Sequence, residues 1–288
     1  MGGCASREIE KPIVKPGVLY NSVRNTIRPF DLALFAGSDG ISGLIRYLQA
    51  RNLSQHKNID VSDEEQYSHV GMIVTSEILD HPKVKEGEIY IWESTMGGRF
   101  GQNLENVDGE TFLGVQLRDF DALVPAYDHP NTTSLAVCHL VSNIYDQADQ
   151  QQRETIKIRF TELFERLDGT LYDLNPVSLA SSLFGGLRCG RKTVQEATGT
   201  DKWLFCSELV ATAYKEMGIF PSEINPENVI PMDFIGYDTD VKTEGGVPVV
   251  VQLPPIKIVS ELHMSEANGE ANGEATKGST YGAVDFSS

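Results

Sequence analysis

The sequence predicts an α+β domain: a mainly antiparallel sheet with helices packed on one side of it. Three observations carry that prediction. Stretches with strand alternation follow one another closely between residues 67 and 141, with turn residues such as Gly97, Gly98, Gly109, Pro125 and Pro130 between them. Helical patterns flank that run instead of alternating with it. The chain has 288 residues, 40% apolar and 23% charged, enough for one well-cored domain with tails or for two small ones.

The elements follow in order. "FDLALF" (30–35) has a strand pattern, and "GSDGISGLIRYLQ" (37–49) follows as a helix started by glycine. "YSHVGMIV" (67–74) is a strong strand, with Val70, Met72 and Val74 alternating against Gly71 and Ile73. "EIYIWES" (88–94) is another, placing Ile89, Ile91 and Glu93 on one face; "GVQLRDF" and "SLAVCHLV" are two more. "QQRETIKIRFTELFERL" is an amphipathic helix with Ile156, Phe160, Leu163 and Leu167 on one stripe. A loop with Gly185, Gly186 and Gly190 precedes the helix "WLFCSELVATAYKEMG" (203–218), and "VPVVVQLP" (247–254) is expected to close the sheet. The body is drawn at 29–258, between an N-terminal arm (1–28) and a disordered acidic tail (259–288) in which "EANG" repeats in tandem.

Composition excludes several classes. No run of about eighteen apolar residues is present, so nothing is expected to span a membrane. No apolar stretch follows Met1, so no secretory signal is expected. A formal net charge of −17 argues against nucleic acid as a partner, which would need a basic face. Cys4, Cys138, Cys189 and Cys206 are irregularly spaced with no C-x-x-C pair, so neither a metal site nor a disulfide scaffold is expected, and a reducing compartment is the natural reading. No cofactor motif is found.

The N-terminus, "MGGCASREIEKPIVKPG", carries a different signal. After removal of Met1, Gly2 leads, Ser6 stands where N-myristoylation favours it, and Cys4 is placed for palmitate. One myristoyl chain holds a protein to a bilayer only marginally, so a second anchor is needed. Cys4 supplies one, and Arg7, Lys11, Lys15, Arg24 and Arg28, against Glu8 and Glu10 alone, add attraction to anionic lipid. The expectation is a lipidated arm on the cytoplasmic side of a membrane, in a eukaryotic cell or a virus growing in one.

Cys206 raises the chemical question. A cysteine attacks a carbonyl as its thiolate, and an ordinary thiol, with a pKa near about 8.5, supplies little of it at neutral pH. The positive end of a helix and a neighbouring imidazolium both favour the thiolate. Cys206 sits where its helix begins, and its stripe continues through Leu209, Val210, Ala213 and Met217 toward the sheet. Of the six histidines, His56, His81 and His129 have loop surroundings, His263 lies in the tail, and His139 follows Cys138 on a strand and reads as structural. His69 opens a strand, from which its ring can reach a helix start. Glu93 ends the next strand, and adjacent strands bring the two about 5 Å apart at the backbone. A buried carboxylate needs a partner, and an imidazole is a ready one. Each residue alone also fits a structural role, since unpaired cysteines are commonly buried in cores.

Taken in order, "DLALFAG…ISGLIRYL", "YSHVGMIV", "IWES", "GTLYD" (169–173), "FCSELV" and "NPENVIPMDF" resemble the circularly permuted NlpC-like hydrolases, over residues 29–233. That family has a papain-like fold and includes bacterial YiiX-like proteins and poxvirus relatives. His69 and Glu93 precede Cys206, which is its permuted order. The resemblance implies Cys206 as nucleophile at a helix N-terminus, His69 as general base and Glu93 as the group that orients it. The backbone N–H of Cys206 then suits an oxyanion. Tyr67 or Tyr172 would complete that hole or wall the substrate site, or pack in the core with the hydroxyl at the surface. Ser207 and Glu208 fit as first-turn residues without a catalytic role. Residues 175–202 depart from the motif set and read either as a lid facing lipid or as a variable loop.

The expected function is that of a membrane-associated cysteine hydrolase or acyltransferase acting on an amide, ester or thioester through an acyl-enzyme, on lipids or acylated proteins. A cysteine peptidase is the second reading. A membrane-tethered interaction protein without catalysis and a redox-responsive thiol protein are the others.

Overall fold

The computed structural model describes residues 15–37, 43, 45–47, 67–95, 105–127, 134–141, 143–172, 203–235 and 255–259. Among these, nine strands form one sheet. In chain order they are β1 (Lys15–Leu19), β2 (Leu32–Ala36), β3 (His69–Val74), β4 (Tyr90–Thr95), β5 (Gly114–Asp119), β6 (Ser134–Cys138), β7 (Leu171–Tyr172), β8 (Trp203–Leu204) and β9 (Ile256–Val259). Across the sheet they run β1-β9-β6-β2-β3-β4-β5-β7-β8. The β1/β9 and β7/β8 pairs are parallel and the rest antiparallel, so the sheet is mainly antiparallel, as the sequence predicts.

Among the described residues, 43 and 45–47 are helical, and the α-helices with described bounds are α1 (Tyr20–Val23), α2 (Phe120–Tyr127), α3 (Ile144–Gln147), α4 (Gln150–Leu167) and α5 (Cys206–Glu216). They cover both faces of the sheet, where one face was expected. Val70, Met72 and Val74 of β3 and Trp92 of β4 join Phe160, Leu163 and Leu167 of α4 and Leu209, Val210 and Ala213 of α5 in the larger core. On the other face Ala33, Phe35, Ile73 and Ile91 meet Tyr20 of α1 and Phe120, Leu123 and Val124 of α2. The reason is visible in β2, "LALFA", which is buried at every position. A strand apolar on both sides needs cover on both.

Local signals set the long helices. Asp149 caps α4: its side chain accepts from Gln152 N while the Gln152 side chain accepts from Asp149 N, a reciprocal capping box. The expected stripe then buries Phe160, Leu163 and Leu167, adding Phe164, and Phe160 stands edge-on to Trp92 with centroids 5.5 Å apart. Helix α5 stops before Gly218, whose φ of +74° suits glycine. The Tyr214 hydroxyl of α5 donates to Phe30 O at 2.5 Å, tying the helix to the segment that leads into β2.

Two boundaries differ from expectation. Residues from Lys15 onward belong to the body, because β1 pairs with β9. Tyr20 is buried, and its hydroxyl donates to Asp121 Oδ1 at 2.6 Å. Arg24, counted with the basic arm, instead grips Asp121 through Nε and Nη2 at 2.7 and 2.6 Å. Propensity misses this because "KPGVL" contains Pro16 and Gly17, and only a partner strand from the far end of the chain makes it a strand. On that side β9 lies between β6 and the edge strand β1; the expected closing stretch, 247–254, lies outside the described residues. So do residues 1–14, with Gly2 and Cys4, and the tail from residue 260.

Candidate active site

Strand β3 begins at His69, and its alternation puts Val70, Met72 and Val74 in the larger core while His69, Gly71 and Ile73 share the opposite face. As the first residue of the strand, His69 stands at the rim of the sheet. Its ring packs on that of Phe35, directly opposite on β2, with centroids 5.3 Å apart. The neighbouring β4 places Glu93 on the same face. Gly71 keeps that face open: a Cβ there would lie 2.4 Å from Ile91 Cδ1 and 3.1 Å from Glu93 Cβ.

Glu93 is fully buried. Its Oε2 accepts from His69 Nε2 at 2.6 Å, and its Oε1 accepts from Arg118 Nη1 at 2.9 Å. Burial alone would push this carboxyl up, but the His69 hydrogen bond and the Arg118 charge outweigh it and hold it below the usual carboxylate range. With Nε2 engaged, Nδ1 of His69 is the ring atom left for another partner.

That partner comes from the other face. Helix α5 starts at Cys206, whose sulfur is buried, with 4% of the residue exposed. No side chain of Phe205 caps the helix start, and the first-turn N–H groups have no acceptor within the helix. Cys206 lies close enough to the His69 ring to act on its proton affinity. Burial pulls the imidazole's proton affinity down, but the charge of Cys206, the Cys206 hydrogen bond and then Glu93 push it up, to about 10. The arrangement therefore favours a protonated ring, with the carboxylate behind it and the sulfur beside it.

The start of α5 is fixed by β4 as well. The Ser94 hydroxyl, buried on the face opposite Glu93, donates to Leu204 O at 2.6 Å. Adjacent residues of one strand thus hold the two halves of the site: Glu93 holds the imidazole and Ser94 holds the strand that delivers the cysteine.

The remaining candidates divide. Tyr172 is nearly buried on β7, and its ring stands edge-on to Phe205, the residue before Cys206, at 5.7 Å. Tyr67 is fully buried in the larger core, its N–H on Met232 Sδ at 3.4 Å, so its surroundings are those of a packing residue. His139 is structural, as its neighbours in the sequence suggest: its Nδ1 donates to the buried Asp31 at 2.7 Å, and Asp31 also accepts from Leu140 N and Arg28 N. The buried Cys138 thiol is pushed far up by its apolar surroundings and by Asp31, which makes it inert. Residues 175–202, His56, His129 and His263 lie outside the described residues.

Sequence reasoning missed Arg118 and Ser94. The signal for Arg118 was present in "GVQLRD": if Val115 and Leu117 face the core, Gln116 and Arg118 share the other face, which is the one that carries Glu93. Among the described residues no group of three or more His, Cys, Asp and Glu side chains is placed to hold a metal ion, and no helix is long and apolar enough to cross a membrane. A groove of about 540 Å³ lined by Ile144, Gln147, Gln151, Ile156 and Met217 lies past the other end of α5 and has no titratable lining residue. No model of a known protein family matches the chain, and no curated protein matches its sequence.

Proposed function

We propose that the chain is a cysteine hydrolase or acyltransferase of amide, ester or thioester bonds, built on a permuted papain-like fold. The observation that carries this reading is that one imidazole, hydrogen-bonded to a buried carboxylate, lies within electrostatic reach of the thiol at a helix start. The resemblance to permuted NlpC-like hydrolases supports it through the order His69, Glu93, Cys206. In the reaction the Cys206 thiolate adds to the acyl carbon, and the first-turn N–H groups of α5 receive the oxyanion. As the tetrahedral species collapses, His69 gives its proton to the departing amine, alcohol or thiol, leaving an acyl-thioester on Cys206. His69 then takes a proton from water or another acceptor, whose oxygen or nitrogen displaces the sulfur. Glu93 holds the ring so that the same nitrogen serves both steps.

Acyl anchors on Gly2 and Cys4 would place this chemistry at the cytoplasmic surface of a membrane, with lipids or acylated proteins as the substrate class. The test is a comparison of the protein with Cys206→Ser on a panel of p-nitrophenyl acyl esters and N-acyl amides. The variant is expected to retain its fold and lose turnover about a thousandfold or more; equal turnover excludes catalysis by Cys206. Gly2→Ala is expected to move the protein from membrane to soluble fractions of the host cell, and unchanged partition removes the anchor.

A further inference from the structure

We propose that Arg118 is a positioning residue of this site: its guanidinium, buried against Glu93 Oε1, keeps that carboxylate charged and turned so that Oε2 holds His69. The inference rests on the reading of Cys206 and His69 as nucleophile and base. Arg118 is 5% exposed and Glu93 is fully buried. Both charges have left water, a loss that a mutual attraction seldom outweighs, so a buried pair of this kind is weak evidence of a stabilising role. Arg118 is also not satisfied for its own sake, because its buried Nε has no hydrogen-bond partner. What the pair does accomplish is directional. Arg118 stands opposite Ile91 on β5, diagonal to Glu93, and approaches the carboxylate from the side away from β3. One oxygen is fixed by a permanent charge, so the other stays toward the imidazole.

This matters because His69 changes charge during the proposed cycle. Each time the ring gives up its proton, Glu93 loses its cationic neighbour on β3. A fully buried carboxylate left alone would then take up a proton and cease to orient the ring. A guanidinium is a permanent cation, so Glu93 keeps a charged partner whichever state His69 is in. The charged or titratable groups acting on Glu93 are His69 from β3 and Arg118 from β5; Cys206 of α5 acts on the ring, and Gln116, opposite Glu93 in register, is uncharged.

The experiment is the pH dependence of iodoacetamide labelling at Cys206, measured on the full chain beside thermal unfolding. Arg118→Gln is expected to move the acid-side edge of labelling upward by about one to three pH units, the span an adjacent arginine exerts on a carboxylate. Arg118→Lys, which restores the charge, is expected to bring the edge back to within about half a unit. A lower melting temperature with an unmoved edge would mean that Arg118 is merely structural, and would overturn the inference while leaving the proposed function standing. Should Arg118→Gln not fold, Glu93→Gln and the pair Glu93→Gln with Arg118→Gln decide, since the pair leaves no unpaired buried charge. Their edges are expected to coincide, because Arg118 acts through Glu93; a further shift of about a unit in the pair overturns the inference. His69→Ala is the separate control: labelling identical to the parent's at every pH sinks the reading of the site itself.

Discussion

At the scale of single residues, His69 links the two halves of the site, and its titration reports both. The charge of Cys206 and the hydrogen bond to it are the largest influences raising the ring's proton affinity, ahead of Glu93. Cys206→Ser puts a hydroxyl in place of the sulfur. In a ring-proton NMR titration, His69 is expected to titrate near pH 10 in the parent and at lower pH in Cys206→Ser; a coincident titration would show that sulfur and ring are uncoupled. The same shift has a stability consequence. A ring whose folded pKa is raised contributes fully below the ordinary value of 6.5 and loses that contribution as the pH rises to about 10. Glu93, held low, acts in the opposite sense, contributing above the ordinary carboxylate range and failing as the pH falls below it. The gap in melting temperature between the parent and His69→Ala should therefore close between pH 6.5 and about 10; a gap constant over that range contradicts the coupling. His69, Glu93 and Cys206 were legible in the sequence because each sits where a strand or helix pattern begins or ends. Arg118 was not, because an arginine in a strand reads as solvent-facing until the register with β4 is known.

Strand β4 is the element on which the geometry depends, and two substitutions test it. Ser94→Ala leaves the buried Leu204 carbonyl without its donor, which costs about 1–3 kcal/mol by the usual desolvation penalty. Activity should fall beyond what the lost stability explains, since the same carbonyl fixes the entry to α5; urea unfolding and turnover measured together decide. Gly71→Ala drives a methyl into Ile91 and against Glu93 Cβ, for a cost of about 1–3 kcal/mol from overpacking. Ile91 can rotate, but Glu93 is held at both oxygens, so turnover is expected to fall while Cys206 labelling of the unfolded chain stays unchanged. Elements with a strong period of their own, β3 to β6 and α4, were legible. The two-residue strands β7 and β8 are too short to show a period, and β1 and β9 exist as strands through pairing with each other and, for β9, with β6. The helices on the second face were masked for a related reason: α1 and α2 are short, and Pro125 lies inside α2.

For the whole molecule, the N-terminal strand is part of the sheet, so the arm cannot be removed at residue 28. A chain beginning at residue 29 loses Tyr20 and Ile27 from the second core, loses the Arg24 grip on Asp121 and bares the edge of β9. It is expected to melt lower and self-associate in size-exclusion chromatography, whereas a chain beginning at residue 15 should match the parent in both; equal behaviour of all three refutes the assignment of β1. The order of the strands has a further consequence, for how the protein is made. His69 and Glu93 are 24 residues apart on adjoining strands, whereas Ser94 meets Leu204 across 110. Contacts close in sequence form early and distant ones late. On the ribosome the imidazole and its carboxylate can therefore come together before the cysteine has been synthesised, and on the proposed reading the sulfur gains its reactivity when it docks onto a sheet already in place. In a refolding experiment with brief alkylating pulses, rapid labelling of Cys206 should arise only in the last kinetic phase, so a nascent chain carries no armed thiol while it is still unfolded.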